Sequence, residues 1–254
     1  AGELHLDIQG QEGLQLAGKA RMQAPPGLDA PFEAQLSGGL PDIAPLVPLL
    51  AGDVDVSEVS GRVTIDVQAT GSLHAPRLAG AARLLGGTVA LPDLGVKLEA
   101  IDLALLGDGS ETLRVDGSAM AGGRLGIDGE LRPLAAGGPR GWLRLRGDRV
   151  DAVRLPDRHV QVSPELRLDF APGSLAGSGR IVIPQAEIVV RQLPQSAVSP
   201  SRDTVIRDRP PRAGSSAIGT IIGGEIEVEL GRKVHLEGFG LDTLLQGTLK
   251  LSQA

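Results

Sequence analysis

The chain contains no cysteine, so it can hold neither a disulfide framework nor a thiolate metal site, and cysteine pairing says nothing about its compartment. Rings are almost as scarce: Phe32, Trp142, Phe170 and Phe239 are the only aromatic side chains, 2% of the sequence. Any apolar surface must therefore be built from Leu, Val, Ile and Ala. No apolar run reaches the ~20 residues that a membrane-spanning helix needs, and the first residues, AGELHLDIQG, lack the basic start and apolar core of a signal peptide. An excess of positive charge is missing too. With 31 acids against 25 bases the net charge is −6 and the isoelectric point about 5.3, which argues against nucleic acid as a partner.

What the 254 residues do have is glycine, proline and alternation. There are 36 glycines and 18 prolines without a Gly-X-Y period, and 41% hydrophobic residues at a mean hydropathy of +0.06, well outside the range of a disordered chain. In GRVTIDVQAT at 61–70, Val63, Ile65 and Val67 alternate with Arg62, Thr64, Asp66 and Gln68, the mark of a strand with one wet and one dry face. The same grammar recurs along the chain. It gives Val89 and Leu91, Leu103 and Leu105, Leu113 and Val115, Leu125 and Ile127, then Leu166 and Leu168. Around Pro184, read as a strand end, it gives Ile181 and Ile183 before and Ile188 and Val190 after. Near the end it gives Ile226, Val228 and Leu230, then Val234 and Leu236. Gly86-Gly87, Asp108-Gly109, Gly122-Gly123 and Gly137-Gly138-Pro139 suit hairpin turns.

These runs predict about 16 to 18 strands, mostly antiparallel, which at ~4.8 Å each would make a ribbon on the order of 80 Å long. One helix of about two turns is expected from an Asp42 cap, with Ile43, Leu46, Val47 and Leu50 on one face and Pro48 limiting it. The polar segment 199–216 reads as a mobile loop. Strand grammar at both ends reads as a piece cut from a longer chain, a single unit over 1–254.

Chemistry-bearing motifs are thin. His5, His74, His159 and His235 lie far apart without a metal-binding spacing, and Asp53, Asp55 and Glu58 lack the glycine and ligand spacing of a calcium loop. No nucleophile elbow, phosphate-binding loop or dinucleotide fingerprint occurs. No cofactor and no metal are expected. A β-solenoid acting on polysaccharide through carboxylates paired across strands stays open as an alternative, although few rings are at hand to stack sugars. The apolar face itself is either ordinary core closed on itself or a trough open to acyl chains or to another strand.

Three stretches carry a family resemblance: GTVALPDLGVKLEAIDLALLG at 87–107, GRIVIPQAEIVVRQLPQSAVSPSRDTVI at 179–206 and GEIEVELGRKVHLEGFGLDTLLQGTLKL at 224–251. The order of Ile183-Pro184, Leu193-Pro194, Ser199-Pro200-Ser201 with Asp203, then Gly238-Phe239-Gly240-Leu241 resembles the C-terminal region of the TamB family, inner-membrane subunits of the translocation and assembly module and relatives of AsmA-like proteins. The resemblance implies an all-β fold, an elongated, curled, taco-like sheet with a hydrophobic trough. It also implies a periplasmic segment of an inner-membrane-anchored protein in a diderm bacterium. Phospholipid acyl chains, a TamA-like outer-membrane barrel, and outer-membrane protein or autotransporter substrates are the implied partners. The alternating aliphatics named above, from Val63 to Leu236, are the expected groove, for lipid or for a β-strand. A third reading is a mechanical spacer with a closed, dry interior. The anchor and the segment that would meet the barrel are expected to lie outside this chain.

Overall fold

The computed structural model describes residues 2–9, 13–23, 29–47, 55–72, 74–135, 137–190, 223–238 and 240–253. The strands are β1 (Gly2–Gln9), β2 (Gln15–Met22), β3 (Phe32–Leu40), β4 (Ser57–Gly71), β5 (Pro76–Leu91), β6 (Val96–Ser110) and β7 (Leu113–Ala121). Then follow β8 (Gly123–Arg132), β9 (Arg140–Asp148), β10 (Val150–Leu155), β11 (Arg158–Ala171), β12 (Ser174–Val190), β13 (Gly223–Gly238) and β14 (Leu241–Gln253). All fourteen belong to one sheet whose order follows the chain, with β10 off the main path against β11. Every pair is antiparallel except β12 with β13, which run parallel on either side of the 191–222 segment. Thirteen strands on the path give a sheet of roughly 60 Å at ~4.8 Å per strand.

Among the described residues the count is below the predicted 16 to 18, because three apparent pairs of strands are single long ones. Pro184 does not end a strand: β12 runs through it, and the register shifts there against both neighbours, between Val182 and Gln185 against β11 and between Ile183 and Gln185 against β13. A β-bulge is where a residue without an N–H costs no ladder bond. Gly86-Gly87 likewise forms no hairpin turn but a bulge inside β5, and β13 carries its own irregularity between Leu230 and Val234. Gly122, at φ 70, and Gly137 and Gly138, at φ 86 and 110, do make the turns expected of them.

The expected helix after Asp42 is a 3₁₀ turn, Ala44–Leu46. Asp42 Oδ1 accepts a hydrogen bond from the Ala44 N–H at 3.1 Å, and Pro45 occupies the first turn. Pro48 and Leu50 lie outside the described residues, as do Asp53, the 199–216 loop, Leu193-Pro194 and Phe239.

The bulges line up. Register shifts on this line fall at Ser57–Arg62 in β4, Leu84–Val89 in β5, Glu99–Asp102 in β6, Asp151–Val153 in β10, Gln161–Ser163 in β11, Ile183–Gln185 in β12 and Leu230–Val234 in β13. One more, between Leu78 and Ala79, lies away from it, where Asp108-Gly109 is a bulge inside β6 and not the expected hairpin turn. The described non-glycine residues with positive φ are Glu58, Ala100 and Arg149, at 46–48°, and each sits on or beside this line. A left-handed backbone costs an ordinary residue about 1–2 kcal/mol, so the line is held by the pairing on either side of it. It acts as a crease. Each long strand contributes to one wall before it and to a second wall beyond it.

Burial follows from a single layer. Among the described residues no large side chain is fully buried, and the buried hydrophobics are Leu40, Leu78, Val96, Val115, Ala121, Val150, Ala186 and Val234. Val96, Ala121 and Val150 form one cluster, with Leu98, Leu125 and Val162 packed on it, where the short β7–β8 hairpin stops at the crease and β10 comes against β6.

Candidate functional site

Residues registered opposite each other in a ladder share a face, and the pairings carry one face from strand to strand. Starting at Leu40, the sequence of direct partners is Val63, Leu84, Leu103, Gly117, Ile127, Leu145, Leu166, Gly179, Ile226 and Leu251. This row crosses eleven strands at right angles to their direction without a polar side chain. Parallel rows flank it. Ile65, Ala82, Leu105, Val115, Gly129, Leu143 and Leu168 make one, and Ile181, Val228 and Leu249 another.

Each residue expected to line the groove falls on this face. Val63, Ile65, Val67, Leu103, Leu105, Leu113, Val115, Leu125, Ile127, Leu166, Leu168, Ile181, Ile226 and Val228 lie before the crease. Ile183 and Leu230 lie at it. Val89, Leu91, Ile188, Val190, Val234 and Leu236 lie on the second wall. Leu40, Leu84, Leu145 and Leu251 complete the middle row; they are not among the residues expected in the groove, although each sits in a run with the same period. Phe32 and Phe170 share the apolar face but stand at strand ends, so the inner rows are wholly aliphatic.

Most of these side chains are half-buried with no second layer over them, whereas residues of the opposite face such as Arg62, Asp66, Arg83, Asp102 and Asp116 are exposed. The sheet therefore curls toward its apolar side. Glycines make that possible. At Gly80, φ 105, a Cβ would stand 2.1 Å from the Asp66 carbonyl oxygen, so only a residue without one lets β4 and β5 approach so closely on the inner side. Farther along, at the last strand, the apolar face opens to solvent: Leu241, Leu249 and Leu251 are 63, 57 and 60% exposed.

The outer face is charged and cross-linked. Lys97 pairs with Glu58 at 2.9 Å beside the crease, Arg180 pairs with Glu229, and Arg167 grips Asp169 with two hydrogen bonds of 2.9 Å. Asp151 is the one buried charged residue described, at 5% exposure. Its Oδ1 accepts from Gln161 Nε2 at 3.0 Å and lies 3.1 Å from His159 Nε2, while Arg154 Nη1 donates to Oδ2 at 3.1 Å. Burial alone would push this carboxyl up, but the Gln161 and His159 hydrogen bonds, with the charges of His159 and Arg154, outweigh it and hold the group below the usual carboxylate range. The cluster ties β10 to β11 beside the β7–β8 hairpin tip, where Gly122 lies against the carboxylate. His235 hydrogen-bonds Asp242 at 2.6 Å, which raises its proton affinity. The four histidines do not converge, and no group of metal-binding side chains occurs among the described residues.

Such an arrangement offers no directional chemistry along the trough. It offers an uninterrupted aliphatic track with a charged exterior, which defines a class: an open, single-layer β-trough, mostly antiparallel and unclosed rather than a solenoid. Residues 113–254, more than half of the chain, match the family model described as the TamB C-terminal domain, and the chain belongs to that family. The translocation and assembly module subunit TamB of Haemophilus influenzae is 25% identical over 216 residues. That match covers 77% of this chain and 16% of the relative, so the chain spans a small part of the length of the relative it matches. No solved structure matches significantly. Among the described residues no helix is long and apolar enough to cross a membrane.

Proposed function

We propose that the apolar face is a conduit for phospholipid acyl chains, and that this chain is the periplasmic part of a lipid bridge between the inner and outer membranes of a diderm bacterium. The observation that carries the reading is the middle row from Leu40 to Leu251, aliphatic or glycine at each of eleven strands and not covered by a second layer. Burying each methylene is worth ~0.8 kcal/mol, so two acyl tails would be held firmly. A uniform wall also lets them move from strand to strand at nearly constant contact energy. Head groups would stay in water at the open side. A TamA-like outer-membrane barrel is the proposed docking partner, through a segment outside this chain. The test is a photo-crosslinking amino acid placed at Leu103 or at the neighbouring Ala104 in the full-length protein in cells. Phospholipid adducts at Leu103 and not at Ala104 support the conduit; equal labelling of the two contradicts it.

A second reading has its own observation. β14 is a thirteen-residue strand without proline whose exposed Leu249 and Leu251 lie on the trough face, a surface on which a strand of an outer-membrane protein or autotransporter could shelter. Protein adducts in place of lipid adducts from a crosslinker at Leu249 would favour this role in assembly.

A further inference from the structure

Trp142, the only tryptophan, stands on the outer, polar face, registered between Glu130 and Asp169. Two guanidinium groups lie over its ring, Arg167 at 4.5 Å from the centroid and Arg144 at 5.6 Å. Both approach from the same direction, because Arg144 is two residues farther along β9 and Arg167 is its registered partner on β11. Toward the strand ends the indole borders a cavity of about 450 Å³, at the ends of β8, β9, β11 and β12. That volume is within the range of about 300–1,000 Å³ usual for small-molecule sites.

The charged groups that line the cavity itself are two of each sign and already oriented. Glu130 and Asp169 flank the indole, and Arg132 and Arg140, a registered pair, line the same cavity. Asp169 is fixed by Arg167, and Arg132 Nε donates to Thr112 Oγ1 at 3.2 Å. A strong anion would meet two carboxylates here, and a strong cation would meet two guanidiniums. A flat aromatic ligand would use the ring but strip water from the charged groups without replacing it. A ligand with an apolar C–H face and a rim of hydroxyls, each both donor and acceptor, satisfies ring, carboxylates and guanidiniums together.

We propose that this cavity is a saccharide subsite. It takes a neutral pyranose ring stacked on Trp142, with Glu130 and Asp169 accepting from its hydroxyls and Arg132 donating to them. The charged wall of the site is on the outer face, while Gly141 and Phe170 of the apolar face close the cavity at the strand ends.

Because the chain has one tryptophan, its fluorescence reports this cavity directly. The protein is titrated with a β-1,4-linked glucose tetramer, with the corresponding N-acetylglucosamine tetramer, and with inorganic phosphate. A saturable fluorescence change with either tetramer and none with phosphate is expected. Ala176→Phe, which fills the cavity from the strand opposite Asp169 and leaves the indole in place, should weaken binding about tenfold at unchanged circular dichroism. Glu130→Ala, at an exposed position, should do the same without occupying the cavity. A flat titration with both tetramers, saturation by phosphate instead, or undiminished affinity in these two variants would overturn the proposal.

Discussion

Leu166 on β11 is registered directly opposite Gly179 on β12, and a Cβ at Gly179 would stand 2.2 Å from the Glu165 carbonyl oxygen and 3.1 Å from Leu166 Cα. The inner row of aliphatics runs over this point without a step because the glycine, at φ 128, lets the β11 backbone lean over it. Gly179→Ala should therefore lose about 2–3 kcal/mol, from strain at that φ together with the clash. Gly126→Ala, on the outer face with its nearest contact at 3.8 Å, should stay within about 0.5 kcal/mol of the parent. Urea unfolding of the two variants beside the parent checks the contrast. Equal stabilities would mean that the curl does not depend on the glycine.

The Asp151 cluster predicts an acid-sensitive joint between β10 and β11. A carboxyl whose folded-state proton affinity is depressed adds stability above its unfolded pKa, and that stability is lost as the pH falls through the lower, folded value. Asp151→Ala, which leaves His159, Gln161 and Arg154 without their common acceptor, should cost about 1–3 kcal/mol at neutral pH. The cost should shrink below the ordinary aspartate range. Denaturant titrations of parent and variant at neutral and at strongly acidic pH provide the comparison, and a pH-independent difference would contradict the assignment.

At His235 the sign is reversed. The Asp242 hydrogen bond raises the imidazole's proton affinity, burial works against it, and the charges of Asp242, Glu237 and Glu187 add to it. The β13–β14 pairing gains from the imidazolium below the ordinary histidine range and loses that gain as the pH rises through the raised value. An NMR titration of His235 should show the elevated midpoint, and Asp242→Asn should return it toward the ordinary value. An unchanged midpoint in the variant would remove Asp242 as the cause.

For the trough, Ile65→Asp and Ile183→Asp in the full-length protein should abolish its function while the protein still accumulates. Thr64→Asp, one residue away on the outer face, should be tolerated. Immunoblotting of the variants separates the two causes of failure, since loss of the protein itself would point to misfolding from a charge on a half-buried face.

The apolar face was legible from alternation alone at Val63, Ile65 and Val67, and the same period put the other residues expected in a groove on that face; the pairing shows the shared face and not what the face holds. The crease was not. Pro184, Gly86-Gly87 and Gly231 carry the same local signal whether they end a strand or bend it, and only the partner's register separates a turn from a bulge. The parallel pairing of β12 with β13 was equally hidden, because nothing in Ile181–Val190 or Ile226–Leu236 specifies direction. Asp151 gave no sign of burial in the sequence, since its partners His159 and Gln161 reach it across a ladder. Trp142 read as one scarce ring among four, and its stacking with Arg144 and Arg167 depends on a register that spacing does not reveal.

The central claim is that the aliphatic face is an open acyl-binding surface rather than closed core. Native mass spectrometry of this chain, purified from bacteria without detergent, followed by extraction and identification of what is bound, tests it most directly. Co-purifying phospholipid, lost in Ile65→Asp and Ile183→Asp and kept in Thr64→Asp, is the expected result. A clean unliganded mass with no uptake from added phospholipid would contradict it, and would turn the account toward a face reserved for protein strands.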